Sequence, residues 1–312
     1  MKTAAEWSVH PSLVLVHDPV KAGALDVLRG ASDLEQDFLF RSMPDISVYE
    51  REHEAFVELL RHRVGKVHYL HEIHENLPPS VKQNPNLVFT RDSVITFPWD
   101  PRFYLQAQMK EPIRAGEPSI TGHILKKLGL SPVLELPPGL ILEGGDAIPF
   151  SREGRRTLLI GFGPRTSFET LVFLQAHLIP DMVDEIIGLE LAAWRMNLDG
   201  GFMPVSDDVA IVDSKSLVKA VILDHQGTQL VDWRSMFSDL GYKMIETTPD
   251  ESVYQQSCNC VCLGNREIVY YNLCPRVATL LRQSGITVHE VAGSELIKGR
   301  GGPRCMTRPV YL

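Results

Sequence analysis

The chain has 312 residues, of which 44% are hydrophobic and 22% charged, a composition typical of globular proteins and not of disordered or fibrous ones. Its net charge of −8 argues against a nucleic-acid-binding surface. No run approaches the roughly 20 apolar residues of a membrane span, and the apolar run at 13–16 is too short for the core of a signal peptide. We therefore expect a cytoplasmic protein without nucleic-acid or membrane partners.

Apolar runs and helical periodicity alternate along the chain. Runs that resemble strands occur at 13–18, 86–90, 158–163, 209–213, 220–224, 267–272 and 286–291. Stretches with helical spacing of apolar residues lie between several of them, at 50–64, 167–178 and 276–284. This alternation predicts an α/β fold. No Ser/Gly-rich linker or charge block marks a boundary, so we expect residues 1–312 to form one domain.

Two segments in the first half of the chain place acidic residues next to apolar runs. NPNLVFTRD (84–92) reads as a strand that ends in an Arg-Asp pair, with Asp92 last. LILEGGDAIPF (140–150) separates Glu143 and Asp146 by two glycines, which let the backbone pass close to a ligand while the carboxylates converge. Taken singly, the first is better explained by a strand followed by a solvated turn, and the second is equally well explained by a hairpin turn with two exposed acids.

Two later segments complete the set of candidate residues. In RMNLDGGF, Asn197 and Asp199 would point to one face of a strand, although a plain hairpin explains the pattern equally well. In KGRGGPRCMTRPV, Cys305 follows Arg304 in a glycine-rich loop. Nearby positive charge and access for a reactant are two conditions for a reactive thiolate, so we expect Arg304 to activate Cys305. The alternative is a buried structural cysteine.

Three of the five cysteines, Cys258, Cys260 and Cys262, form a separate cluster. An odd total fits reduced thiols better than a disulfide framework. Zinc sites use four ligands, usually from paired CxxC units, and no such pair is present. Spacing of two along a strand would put all three on one face, as small residues of a core. We predict no metal site and no cofactor, and consider a redox or metal protein the least favoured reading.

The four polar segments, read in order as FTRD, EGGD, NLD and GRGGPRC, resemble the arginine deiminase family. Its wider group, the penteins, includes amidinotransferases and dimethylarginine hydrolases. GFGPRTS (161–167) is similar to a GxGxRTS element of the family, and VAGSELIKGRGGPRCM (291–306) is similar to its terminal motif. The resemblance implies a five-bladed α/β propeller of ββαβ units around a central pocket, here as a single catalytic domain.

The resemblance also implies roles for individual residues. Cys305 would attack the central guanidinium carbon and form a covalent amidino-thioether. Asp92 and Asp199 would hold the guanidinium nitrogens by charge-assisted hydrogen bonds, and Glu143 would support a general base. The residues expected to bind the substrate are Asn86, Phe89, Arg114, Asp146, Arg165 and Arg300.

One position departs from the family pattern. Where the family has a histidine that carries protons, this chain has Asn197, and an amide cannot do so. General acid–base catalysis contributes about 10²–10⁴-fold to rates. Three explanations stay open: another histidine, such as His123 or His225, takes over; the substrate's amine or a carboxylate carries the proton; or the change is inactivating.

The leading hypothesis is an enzyme that acts on arginine or a related guanidino compound, by hydrolysis or by amidino transfer to an amine. Its expected partner is the small-molecule guanidino substrate, and assembly into a homo-oligomer is compatible with the sequence. The alternative is a non-catalytic or chemically divergent relative that binds a guanidino ligand, an interpretation motivated by Asn197 alone.

Overall fold

The computed structural model describes residues 4–74 and 78–312, apart from the side chains at 80 and 82. The helices, in chain order, are α1 (Leu34–Phe38), α2 (Ile46–Val64), α3 (Leu70–Ile73), α4 (Glu117–Lys127), α5 (Phe168–Leu178), α6 (Trp233–Asp239), α7 (Pro249–Tyr254) and α8 (Pro275–Gln283). Together with the strands below, they give an α/β fold, as the sequence predicts.

The strands of the described residues fall into five separate sheets. In chain order they are β1 (Leu13–Val16), β2 (Val67–Tyr69), β3 (Val94–Phe97), β4 (Asp100–Gln106), β5 (Ser131–Pro132), β6 (Ala147–Arg152), β7 (Arg155–Phe162), β8 (Glu185–Leu191), β9 (Phe202–Pro204), β10 (Val209–Val212), β11 (Leu217–Asp224), β12 (Gly227–Val231), β13 (Lys243–Glu246), β14 (Val261–Cys262), β15 (Glu267–Tyr271), β16 (Thr287–Val291) and β17 (Arg308–Val310). The sheet orders are β17-β1-β2, β3-β4-β5, β12-β11-β8-β7-β6, β13-β10-β9 and β14-β15-β16.

The two ends of the chain share a sheet. β1 pairs antiparallel with β17, with Leu13 opposite Val310, and parallel with β2 on its other side. Both strands are buried, so the apolar contacts of the first strand hold the last one in place. The pairing fixes the segment just before β17, where the glycine-rich loop and Cys305 lie.

The long helix α2 illustrates how local sequence sets the boundaries. The Asp45 side chain accepts the backbone N–H of Val48 and so caps the first turn. Phe56 and Leu60 lie on the face buried against the sheet elements. The helix ends at Gly65, whose φ of +84° suits a residue without a Cβ.

One predicted strand is wrong, and a strand considered as one of two alternatives is absent; both lie at the candidate site. Residues 86–90 do not form a strand, because Pro85 begins a short 3₁₀ helix (Pro85–Val88) that the Asn84 side chain caps through the Asn86 N–H. Asn197 and Asp199 do not alternate on a strand either, since Leu198–Gly200 is a 3₁₀ turn. The other predicted strands and the three helices are present with small shifts of their ends.

The cysteine cluster is part of the largest hydrophobic core, where Cys258, Cys260 and Cys262 are all buried. Cys258 and Cys260 precede β14, and only Cys262 lies on it. In the described ranges, no group of three or more His, Cys, Asp or Glu side chains is arranged to hold a metal ion. None of the helices described above has the length and apolar content required to cross a membrane.

Candidate active site

Cys305 lies in the loop between β16 and β17 and is the one partly exposed cysteine among five. Its Sγ lies 3.6 Å from Asp199 Oδ2, and the Asn259 side-chain amide donates a hydrogen bond to it at 3.0 Å. The backbone is also anchored, because the carbonyl of Cys305 accepts the N–H of Arg91 at 3.0 Å. Cys305 is therefore a partly exposed residue whose backbone is held in place by a hydrogen bond to Arg91.

Two glycines of the loop are required by close packing. A Cβ on Gly301 would clash with the ring of Phe89, and a Cβ on Gly302 would lie 2.5 Å from Asn259 Oδ1. Both contacts are well inside van der Waals separation. The glycine-rich motif before Cys305 thus allows Phe89 and Asn259 to approach the nucleophile loop from two sides.

Asp92 and Asp199 both lie near the thiol but have different partners. Asp92 Oδ2 accepts from Arg114 Nη1 at 2.8 Å, whereas Asp92 Oδ1 is buried and has no hydrogen-bond partner among the described residues. Asp199 Oδ2 accepts from Arg304 Nη1 at 3.0 Å. Burial raises the pKa of Asp199 although Arg304 opposes this. Asp92 therefore presents an oxygen that can accept a further donor.

Arg304 does not activate the thiol as expected from the sequence. Its guanidinium is fully buried and donates hydrogen bonds of 2.9 and 2.8 Å to Glu6 and a further one to Asp199. The pKa of Cys305 is raised well above its ordinary value, chiefly by burial and then by the Asp199 and Asp92 carboxylates. A hydrogen bond with the backbone of Gly302 and the charge of Arg304 lower this pKa, but they do not outweigh the other causes. Burial and the two carboxylates thus favour the neutral thiol over the thiolate.

Asn197 bridges the two acids of the EGGD turn. Its Nδ2 lies 3.0 Å from Glu143 Oε2 and 3.2 Å from Asp146 Oδ2. Asp146 also accepts the Thr166 hydroxyl at 2.7 Å. Burial and then the Glu143 charge raise the pKa of Asp146 well above its usual range. The amide thus occupies the position between the carboxylates and the cavity where the family pattern has a histidine.

The arginines expected to hold an amino-acid substrate are ion-paired. Arg114 makes a bidentate pair with Glu117, at 2.9 and 2.7 Å, besides its bond to Asp92. Arg165 Nη1 lies 3.3 Å from both Glu111 Oε1 and Glu143 Oε1. Arg300 pairs with the exposed Glu35. Arg114 is positioned to orient Asp92, and Arg300 is the arginine with the most solvent-exposed partner.

Two small adjoining cavities open beside the nucleophile, and both are lined by Cys305, Asn197, Met196 and Arg300. The larger, about 60 Å³, is also lined by Arg41, Trp194, Arg195, Asp199, Gly200, Val253 and Gln256. The smaller, about 30 Å³, is also lined by Leu39, Asn86, Phe89, Asp92, Arg114, Gly299 and Gly301. Ligand sites usually measure about 300–1,000 Å³, so side chains fill most of this site.

The structure therefore brings together most of the predicted residues. Glu143, Asp146 and Arg165 are not among the lining residues and lie behind Asn197. His123 is exposed on α4, and His225 is exposed in the turn between β11 and β12, so neither of these two histidines replaces the missing one. Asn259, Arg41 and Met196 were not predicted, because Asn259 and Arg41 lie outside the recognised motifs and Met196, although within RMNLDGGF, carries no polar group.

Comparison with known proteins finds similarity to arginine deiminases. An arginine deiminase of Listeria welshimeri is 28% identical over 275 residues, which cover 78% of this chain and 66%, just under two thirds, of the relative's length. An arginine deiminase of Staphylococcus aureus is 25% identical over 347 aligned positions, covering 96% of this chain and 83% of the relative.

Solved structures share the fold. The N-terminal domain of ArgZ, an arginine dihydrolase from the ornithine-ammonia cycle in cyanobacteria, has a TM-score of 0.73 at 19% identity, covering 95% of this chain and 96% of that one. A dimethylarginine dimethylaminohydrolase has a TM-score of 0.67 at 17% identity, covering 96% and 100%. Both likenesses concern the fold alone. A sequence model of the arginine deiminase family matches residues 72–311, and the chain therefore belongs to that family.

Proposed function

We propose that the protein modifies a guanidino compound, arginine or a close relative, through a covalent amidino-thioether on Cys305. The observation that carries the proposal is Asp92 Oδ1, which has no hydrogen-bond partner within the described part of the chain and is buried beside a cavity that Cys305 also lines. A buried carboxylate oxygen without a donor is costly. A guanidinium supplies planar N–H donors and a positive charge, which is what this oxygen lacks.

The electrostatics of the site favour a cation over other ligands. Asp199 Oδ2 lies 3.6 Å from the sulfur and Asp92 lines a cavity that Cys305 also lines, so both carboxylates lie near the sulfur, and both raise the pKa of the thiol. A guanidinium bound between them offsets both charges and removes the main obstacle, besides burial, to ionisation of Cys305. In this account, substrate binding lowers the pKa of Cys305, and the thiolate forms as its proton moves to a nitrogen of the bound guanidino group.

The first covalent step balances without an external reagent. The sulfur of Cys305 bonds to the guanidinium carbon, a C–N bond breaks, and the thiol proton goes to the departing nitrogen, which leaves as ammonia or as an amine. The product is an amidino-thioether that carries the positive charge. Water then releases the urea-type product and regenerates the thiol with loss of one proton, or an amine takes the amidino group instead.

The presence of Asn197 in place of a histidine affects the second step, release of the thioether, more than the first step, its formation. The thiol itself brings the proton that the leaving group needs, whereas activation of water requires a base. No described histidine lines the two cavities. We therefore expect formation of the thioether to be easier than its hydrolysis, and slow turnover unless an amine or a carboxylate accepts the proton.

The direct test is incubation with labelled arginine, with and without glycine or another amine. Citrulline as product indicates hydrolysis, and ornithine with a modified acceptor indicates transfer. Mass spectrometry of the intact protein and of the Cys305 peptide detects the covalent intermediate. Arginine binding by calorimetry without adduct and without product would instead favour the non-catalytic ligand-binding relative.

The architecture around this site is proposed as one catalytic domain over 1–312. Five sheets in the described residues, with the first and last strands in one sheet, support a five-bladed propeller with the site at its centre. Cytoplasmic location remains a prediction that the five free cysteines fit, and the oligomeric state remains to be measured.

A further inference from the structure

The cysteine cluster of the sequence carries a residue that no motif assigns. Asn259 lies between Cys258 and Cys260, in the segment that joins α7 to β14, and its side chain is fully buried. Its Nδ2 lies 3.0 Å from Cys305 Sγ. Its Oδ1 accepts the backbone N–H of Arg304 at 2.9 Å and that of Cys305 at 3.3 Å.

These bonds fix the orientation of the amide. Backbone N–H groups can only donate, so the atom that faces Arg304 N and Cys305 N must be the oxygen. The NH₂ group of Asn259 is consequently the one that faces the sulfur. The assignment of nitrogen and oxygen, often ambiguous for an amide, is settled here by its partners.

The surrounding residues hold Asn259 in this position. Cys258 and Cys260 have no exposed surface and belong to the largest hydrophobic core. On the other side, the absence of a side chain on Gly302 leaves room for the amide, because a Cβ there would lie 2.7 Å from Asn259 Cβ as well as 2.5 Å from its Oδ1. Small residues on both sides therefore pack the amide against the nucleophile loop.

A donor at the sulfur has a clear electrostatic purpose in this site. Asp199 and Asp92 disfavour a negative charge on Cys305, and the charge of Arg304 is already shared between Glu6 and Asp199. A hydrogen bond to an ionised acceptor is roughly twice as strong as one between neutral groups. The Asn259 N–H thus favours the thiolate over the thiol.

We propose that Asn259 is a catalytic residue, whose N–H stabilises the thiolate of Cys305 while its oxygen fixes the backbone of the nucleophile loop. The proposal rests on the proposed function of Cys305 as the nucleophile. It also gives the cysteine-rich segment a purpose, which is to present this amide to the sulfur from a packed core.

Substitution of Asn259 by aspartate separates the two parts of the role. Asn259→Asp keeps an oxygen for the two backbone N–H groups but replaces the donor at the sulfur by a carboxylate oxygen. Asn259→Ser removes the donor without adding charge, because its hydroxyl is too short to reach the sulfur from the same backbone position, and it also removes the oxygen that accepts the two backbone N–H groups. Asn265→Asp makes the same chemical change at an exposed site and is the matched control.

The measurement is the pH dependence of Cys305 alkylation by iodoacetamide in the folded full-length protein. Peptide mass spectrometry assigns the label, and the other four cysteines are buried. Loss of a hydrogen bond to a charged group should raise the pKa of Cys305 by about 1 to 2 in Asn259→Ser, and further in Asn259→Asp, with no change in the control. Thermal unfolding verifies that each variant is folded.

An unchanged alkylation profile in folded Asn259→Ser and Asn259→Asp would overturn the proposal, and either variant suffices if the other fails to fold. The readout needs no substrate, so absence of guanidino turnover would count against the proposed function and leave this test intact. Conversely, normal turnover in wild type with an unaltered pKa in the variants would reject only the role of Asn259.

Discussion

Restoring a histidine at position 197 should increase turnover of a guanidino substrate. The Asn197 Nδ2 is 3.0 Å from Glu143 Oε2, and the Nδ1 of a histidine lies at the same number of bonds from the backbone. In Asn197→His, Nδ1–H can therefore donate to Glu143, which fixes the tautomer, while Nε2 points away from Glu143. The adjoining cavities of about 60 and about 30 Å³ offer room for the ring.

The magnitude follows from the role the imidazole would take. A positioned general acid–base contributes about 10²–10⁴-fold, so kcat for citrulline release should rise by at least about 10²-fold. Stopped reactions with labelled arginine measure it, and Asn197→Ala serves as the control without any replacement group. A folded Asn197→His variant with no more activity than Asn197→Ala would refute the reasoning, since it would show that proton transfer at this position does not limit the reaction.

Three further predictions concern other residues of the site. Asp92→Asn removes one charge of the proposed clamp and should weaken arginine binding about 10–100-fold by calorimetry, whereas unchanged affinity would contradict the clamp. Gly301→Ala forces Phe89 to move and should raise KM more than it lowers kcat; an unaffected KM would show that Phe89 does not shape the binding space. Burial opposes ionisation of Glu6, but Arg304 and Arg91 outweigh it and lower its pKa from 4.5 to about 2. Because the folded pKa is below the unfolded one, this stabilisation of about 3 kcal/mol is present above pH 4.5 and lost as the pH falls toward 2. Glu6→Gln should therefore lower the free energy of unfolding at pH 7 and flatten its slope between pH 4.5 and 2 in urea titrations, and an unchanged slope would contradict the shift.

The sequence is informative where chemistry requires a fixed residue type. Cys305, Asp92 and Asp199 are recognisable because a nucleophile and two carboxylates stand beside glycines in a characteristic order, and the structure places them together. The periodicity that predicts α2 and α5 depends only on local spacing, so it also holds.

Features that depend on contacts between distant segments are not visible in the sequence. The sequence indicates that Arg304 places a positive charge next to Cys305, but in the structure this charge is paired with Glu6, which lies 298 residues away in the chain. Asn259 reaches the sulfur from a segment 46 residues earlier, and its neighbours identify it only as part of a cysteine-rich core. The strand predicted at 86–90 fails for a local reason, since Pro85 and the Asn84 cap favour a 3₁₀ turn.

Trapping of the covalent intermediate tests the central claim most directly. Wild-type protein is incubated with arginine, quenched in acid, and the mass of the Cys305 peptide is compared with that from Cys305→Ser. We predict an added mass on Cys305 that corresponds to the substrate less the departing amine, and none in the variant. Guanidino turnover with no adduct at any quench time, and full activity in Cys305→Ser, would contradict the account.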